Sequence, residues 1–358
     1  VSTQSLIPSS LSRRAFLRRS AMATAAVAAG PTLLSACGSS PAAGGGGGEG
    51  AMTFLSLLPL ETLSMSPELL AVAGGHFAKH GVEVELQAVK GSPQAMQTLL
   101  SGVGPVSRIG QIDVMTAVAE SKQPIVNIGT LSRGSSLRIV YSKNDPLEKP
   151  EDFVGKTIGV PSEGGTSSKV VSLVLANAGL DPAKTQQQVT GLTPGTFTLV
   201  QQGRIAGYAV SIDTANIVQS QHDDAGVFDP GTVVKADTQV YVSTREVMKN
   251  NPEALKGFMA GIHDALAAYV ADENFDKTLA TLREKYSFAT LDDDTIARKS
   301  LGEMREIWTG GDPDQPLLVT DESAWLAGYE ELTKAGIAKP GGDATSWFDN
   351  SMLPESQA

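Results

Sequence analysis

The chain has 358 residues, 41% of them hydrophobic and 19% charged, with a formal net charge of −11 and a single cysteine, Cys37. That acidity repels phosphate backbones and anionic headgroups, which excludes nucleic acid as a natural partner. One thiol closes no internal disulfide, so stability has to come from packing. The first distinctive stretch is Ser12-Arg13-Arg14-Ala15-Phe16-Leu17-Arg18, and no acidic residue precedes Glu49. The apolar stretch 21–29 that follows is too short and too weakly apolar for a stable membrane span. Leu34-Ser35-Ala36-Cys37 comes next, and then a run rich in glycine, serine and alanine that buries no apolar area and reads as a tether over 38–50.

The basic head and Leu34-Ser35-Ala36-Cys37 together resemble a twin-arginine export signal ending in the lipobox of bacterial lipoproteins. In that motif the cysteine sulfur is alkylated by a diacylglycerol and becomes the new N-terminus. The resemblance implies export in a folded state, removal of residues 1–36, and lipidation of Cys37 at the extracytoplasmic face of the cell membrane. Acyl chains at ~0.8 kcal/mol per buried methylene make such an anchor durable. A chance cysteine behind an ordinary cleaved signal, or a buried structural thiol, is the plainer alternative. Residues 1–36 hold four arginines and no acid, so cleavage moves the charge from −11 to −15.

Folding then starts near Ala51, with about 300 residues left, enough for two lobes with a core in each. Residues 52–58 read as a strand and 68–80 as a helix with Leu69, Leu70, Val72, Ala73 and Phe77 on its apolar side. Gly81 stops that helix, and 82–86 alternates as a half-buried strand should. A helix at 94–100, a strand at 112–115, a helix at 117–120 and a strand at 125–128 follow. The pattern restarts at 137–141, with a strand at 157–160, a Gly/Ser loop, and a helix carrying Val170, Val171, Val174, Leu175 and Ala178 on one face. Residues 95–116 and 196–211 echo one another, each passing from an apolar helix through glycine to a strand. Strands separated by helices imply crossovers and mostly parallel sheets. Beyond Asn251 the chain turns helical: Pro252 suits a first turn, and Leu255, Phe258, Met259, Ile262, Leu266 and Tyr269 recur at helical spacing. Further helices are predicted at 272–286, 292–308 and 321–336, with acids near their starts as the helix dipole favours.

Several of these segments resemble the SsuA/TauA/NMT1-type substrate-binding proteins of ABC importers, which serve sulfonates, taurine, nitrate and thiamine-pyrimidine precursors. Ala73-Gly74-Gly75-His76-Phe77-Ala78-Lys79-His80-Gly81-Val82-Glu83-Val84 is similar to that family's helix-to-strand passage. Glu151-Asp152-Phe153-Val154-Gly155-Lys156-Thr157-Ile158-Gly159-Val160 is similar to its entry to the second lobe, and Asn251-Pro252-Glu253-Ala254 through Tyr269 to its returning helix. The resemblance runs over about 53–286 and implies an α/β, type II periplasmic-binding-protein fold: two Rossmann-like lobes, a two-crossover hinge and C-terminal helices. The expected division is lobe one at 51–138 and 243–358, lobe two at 139–242, with hinge strands at 137–141 and 239–243. It further implies a solute-binding lipoprotein, not an enzyme, that delivers a small molecule to an ABC permease and its ATPase. The solute would be a sulfonate, a nitrate-like anion, or an amino-bearing organic such as a pyrimidine precursor. Gly207-Tyr208-Ala209-Val210-Ser211-Ile212-Asp213 departs from the family pattern at a loop that usually touches ligand, so no relative's substrate carries over.

Ligand sites in such folds lie where loops leave the C-terminal ends of parallel strands. Pro161-Ser162-Glu163-Gly164-Gly165-Thr166-Ser167-Ser168 follows a strand and opens a helix, offering backbone N–H groups and hydroxyls to an anionic or strongly polar group. Ser162, Gly164, Gly165, Thr166 and Ser167 are therefore candidates, against the plain reading of a capped turn. Pro59, Leu60 and Glu61 hold the equivalent rim of lobe one. Ser92 and Thr116 follow the second and third strands, Ser132 and Arg133 lead to the first hinge, and Ser211 and Asp213 end a strand of lobe two. Were Glu61 and Asp213 both to line the cleft, the ligand would carry an amine or amidine. His76 and His80 stand four apart on a helix without a third ligand, so neither a metal nor a cofactor is expected. No catalytic constellation is recognisable. An exported enzyme on the same fold and a receptor presenting ligand to a sensor remain the alternatives.

Overall fold

The computed structural model describes residues 51–355; the export signal, Cys37 and the tether lie outside the described residues. The first half builds β1 (Met52–Ser56), α1 (Ser66–Ala73), α2 (His76–Lys79), β2 (Val84–Ala88), α3 (Gly91–Leu100), β3 (Val106–Gly110), α4 (Gln111–Ser121) and β4 (Ile125–Thr130). After a crossing come β5 (Leu137–Ser142), β6 (Thr157–Val160), α5 (Thr166–Asn177), β7 (Gln186–Val189), α6 (Phe197–Gln201), β8 (Gly207–Ser211), α7 (Ile212–Gln221) and β9 (Ala225–Phe228). The chain then returns through β10 (Gln239–Thr244) into α8 (Arg245–Asn250), α9 (Pro252–Val270), α10 (Asp276–Arg283), α11 (Ala289–Asp292), α12 (Asp294–Thr309) and α13 (Glu322–Lys334).

Two five-stranded sheets result, in the orders β2-β1-β3-β10-β4 and β7-β6-β8-β5-β9. They share one plan. In each, three strands run parallel, and the fourth place is taken by an antiparallel strand that has just arrived from the other lobe. The sequence echo of 95–116 and 196–211 maps onto this repeat, as α3–β3 in one lobe and α6–β8 in the other. The lobe boundaries expected at 138/139 and 242/243 fall inside β5 and β10. Pairing keeps each of those strands whole within one sheet, so the chain passes between sheets over 131–136 and 229–238.

Two local expectations need correction. Residues 112–115 form the first turns of α4 rather than a strand, and the third strand is β3. Every residue of β3 is buried, including Arg108, whose charge in mid-strand hides the apolar run. The helix expected over 68–80 breaks into α1 and α2 because Gly75 adopts φ +69°, a left-handed conformation that glycine takes without steric cost.

One apolar cluster joins Phe54, Val106 and Tyr241 of the first sheet to α1, α9, α10 and α12. A second starts on that sheet's other face with Leu55, Ile109 and Val240 and continues through α4 and α13 to Ile139, Ile158 and Val170 of the second lobe. Burial at roughly 25 cal/mol per Å² of apolar surface makes this shared layer an adhesive between the lobes.

Candidate ligand cleft between the lobes

Loops leaving β1, β2 and β3 face loops leaving β6, β7 and β8 across a cleft with a cavity volume of about 60 Å³ that opens to solvent. Lobe one contributes Leu57, Leu58, Ser64, Gly91, Ser92 and Gly110, and lobe two Pro161, Ser162, Thr166, Ser167, Leu192, Val210 and Ser211. The crossings add Ser136 and Asp237, and the first residues of β5 and β10 add Leu137 and Gln239. The lobes touch at two glycines. A Cβ on Gly110 would lie 2.2 Å from Thr166 Oγ1, and one on Gly91, already at φ +74°, 2.7 Å from Ser162 Oγ. Any larger residue there would prop the lobes apart.

Beneath the cleft floor lies a buried ionic group. Arg108 Nη1 donates to both Glu68 oxygens at 3.0 Å, Tyr241 Oη donates to Glu68 Oε1 at 2.7 Å, and Arg108 Nη2 donates to the Ser64 carbonyl at 2.9 Å. Arg108 and Glu68 are both fully buried. Such a pair adds little net stability against an apolar replacement, but it fixes geometry once present. Here it pins the 62–65 turn, and with it Ser64, to the sheet.

The structure brings Ser92, Ser162, Thr166, Ser167 and Ser211 together in the cleft lining. Pro59 and Glu61 border an adjoining recess with Ser211 and Thr290. Leu60 packs against the first core. Gly165 caps α5, and Gly164, at φ +67°, opens onto an outer recess beside Asp113 and Lys169. Three of the other candidates are engaged elsewhere. Thr116 donates to Ile112 O at 2.6 Å within α4, and Ser132 Oγ accepts from Gln239 N at 2.7 Å, tying the two crossings together. Arg133 donates to Pro316 O at 2.6 Å.

Asp213 is 1% exposed and accepts four hydrogen bonds, from Thr62 Oγ1 (2.8 Å), Ser211 Oγ (2.7 Å), Leu63 N (2.9 Å) and Thr290 Oγ1 (2.9 Å). Its lone pairs are used up in joining the lobes. The amine or amidine reading therefore loses the pair of acids first assigned to it. Asp113, on α4, makes the mirror contact: it accepts from Thr166 Oγ1 and from Lys169 Nζ, each at 2.5 Å, across the same gap. Ser92 Oγ lies 3.1 Å from Thr166 Oγ1 and completes that chain.

Sequence reading missed Asp237. It is 6% exposed, lines the cleft, and accepts the Ser135 hydroxyl at 2.5 Å. Burial pushes its carboxyl up to about 6, with Asp229 and Asp113 adding repulsion and the Ser135 hydrogen bond and Arg138 opposing. The available signal was an acid just upstream of a strand that re-enters the first lobe. His80 Nε2 sits 3.0 Å from Asp264, and among the described residues no group of three or more His, Cys, Asp or Glu is placed to hold a metal. No helix of the described residues is long and apolar enough to cross a membrane.

Two α/β lobes joined by two crossings, with a cleft at the strand ends, define the type II periplasmic-binding-protein fold. The solved structure of the periplasmic aliphatic sulphonate binding protein SsuA from Escherichia coli has it too, with a TM-score of 0.60 at 15% identity, over 83% of this chain and 97% of that one. The profile of the NMT1/THI5-like family matches residues 63–274, more than half of the chain, and the chain belongs to that family. Among curated relatives, the riboflavin-binding protein RibY of Chloroflexus aurantiacus is 25% identical over 84% of this chain and 85% of its own length. The taurine-binding periplasmic protein of Escherichia coli is 26% identical over 58% and 65%.

Proposed function

We propose that this chain is the extracytoplasmic solute-binding component of an ABC importer, held at the membrane by lipid on Cys37. It captures a small polar organic molecule between its lobes and delivers it, chemically unaltered, to a permease driven by an ATPase. The observation that carries this reading is the cleft: both lobes and both crossings line it, and reciprocal side-chain contacts, Thr166 to Asp113 and Thr62 to Asp213, span its edges. A ligand gripped from both sides stabilises the closed arrangement over the open one, and that difference in affinity is what a permease can read. The names of the relatives, both binding proteins, support it.

Solution scattering tests the reading. Full-length protein stripped of solute should be more open than protein carrying its solute, with a larger radius of gyration. Identical profiles together with turnover of the solute would favour the exported enzyme. The anchor is tested separately: Cys37→Ser should abolish incorporation of radiolabelled fatty acid and release the protein from the membrane fraction.

A further inference from the structure

The cleft's charge pattern narrows the class of solute, an inference that rests on the solute-binding reading above. Among the described residues, Asp237 is the only ionisable side chain in the lining, which holds no lysine, arginine or histidine. Its Oδ2 takes the Ser135 hydroxyl, while Oδ1 has no protein hydrogen bond among the described residues. The charged groups facing it are Arg138 on β5, Asp229 on the second crossing and Asp113 on α4. Arg138 is committed to Asp229 at 3.2 Å, and Asp113 to Lys169 at 2.5 Å. Asp237 therefore lacks a counter-ion of its own, a costly state for a buried carboxylate. A second polar group waits in the same cleft: Ser64 is 4% exposed, and its Oγ is buried with no partner among the described residues.

We propose that the cleft takes a small organic cation, a protonated amine or amidinium that donates N–H bonds to Asp237. Ser64 offers it a second polar contact, and its hydrocarbon part lies against Leu57, Leu58, Leu137 and Leu192. A sulfonate or nitrate would meet Asp237 with no cation to offset the repulsion. The N-terminus of α5 does border the space and favours anions. Its first hydroxyl, on Thr166, is already donated to Asp113.

The test uses the full chain in detergent, with benzamidine, cadaverine, propane-1-sulfonate and nitrate as calorimetric probes, and native mass spectrometry for any solute retained through purification. The expected result is binding of an amine or amidine probe, or a retained solute with a basic nitrogen. Because burial sets the Asp237 carboxyl at about 6, binding should weaken about tenfold between pH 7.5 and pH 5 as that group protonates. Asp237→Asn should weaken it about 100-fold, as loss of a buried charge-assisted hydrogen bond does, with the far-UV circular dichroism retained. Should that variant misfold, the pH profile of the unaltered protein decides alone. Binding of propane-1-sulfonate or nitrate, or a retained solute without basic nitrogen, overturns the cation assignment and leaves the solute-binding reading standing. No probe bound and no solute retained would sink both.

Discussion

Asp113 and Asp213 occupy matching places in the two lobes, each in the first turn of the helix that follows the third parallel strand, and each reaches a threonine of the opposite lobe. They do so in different currencies. Asp213 is held by four neutral donors, one of them a backbone N–H, and Thr290 of α11 closes the ring. Asp113 has one hydroxyl and one ammonium, and Lys169 keeps 22% of its side chain in solvent. In the first arrangement Leu63 N and Thr290 Oγ1 have no other acceptor once it is broken, and Thr62 has only the Ser211 hydroxyl at 3.4 Å. The second can open, because water takes over the lysine. The same fold repeat has thus produced a joint of neutral donors on one side of the cleft and a partly hydrated ionic clasp on the other, the joint reaching the cleft lining through Ser211 and the clasp through Thr166 and Ser92.

Breaking the joint should have the largest effect. Asp213→Ala leaves the buried donors Leu63 N and Thr290 Oγ1 without an acceptor, while Thr62 and Ser211 keep only the hydroxyls of Ser211 and Thr214, and the loss should be about 3 kcal/mol of unfolding free energy. Urea denaturation followed by tryptophan fluorescence measures it; a midpoint unchanged from the parent would show that Asp213 is no joint.

Asp237 provides a contrast of opposite sign, since it is a buried acid with one hydrogen-bond donor, Ser135, where Asp213 has four. Its carboxyl sits at about 6 in the folded protein against a reference value of 3.8. Below about pH 3.8 the group is protonated in both states. Between the two values the folded state alone holds the proton, so stability falls as pH rises, and the full penalty is present above about pH 6. Asp237→Asn should therefore stabilise the solute-free protein by about 3 kcal/mol at pH 7.5, with the gain gone near pH 4. Parallel denaturation series at the two pH values give the answer, and a variant less stable than the parent at pH 7.5 would contradict it.

These contrasts also show what could be read from the sequence. Strands β1, β4 and β6 were legible as short apolar runs, and the face of α9 because its apolar residues repeat at helical spacing. Strand β3 was not, since Arg108 breaks its pattern and only the fold brings Glu68 and Tyr241 to that charge. The Ser/Thr loop at 162–167 was legible as a cleft edge from its place between a strand and a helix. Asp237 was not, because it reaches the cleft only through the pairing of β10 with β3 and β4, a contact across more than a hundred residues. Thr116 and Ser132 look equally available in sequence, yet their hydroxyls satisfy nearby backbone instead.

The clasp itself calls for smaller changes. Asp113→Ala should cost only about 1 kcal/mol of stability, since the freed Lys169 hydrates, while scattering of the solute-loaded protein should shift toward the open form. If it instead destabilises as much as Asp213→Ala, the two contacts are energetically alike and the distinction between joint and clasp fails.

The finest comparison sets Thr166→Val against Thr62→Val, near-isosteric changes at matching positions. Thr62 also accepts a hydrogen bond from Ser64 N, so its loss uncaps a turn and removes one of four donors to Asp213. That should appear as about 1 kcal/mol in the urea midpoint with little change in how far the lobes open. Thr166 caps nothing, and Lys169 still pairs Asp113 when its hydroxyl is gone. Its removal should leave the midpoint within about 0.5 kcal/mol and act on the closed arrangement alone, where Ser92, Thr166 and Asp113 form one chain from the cleft to the clasp. Scattering and denaturation on both variants separate the cases, because a clasp moves the first readout and a joint the second.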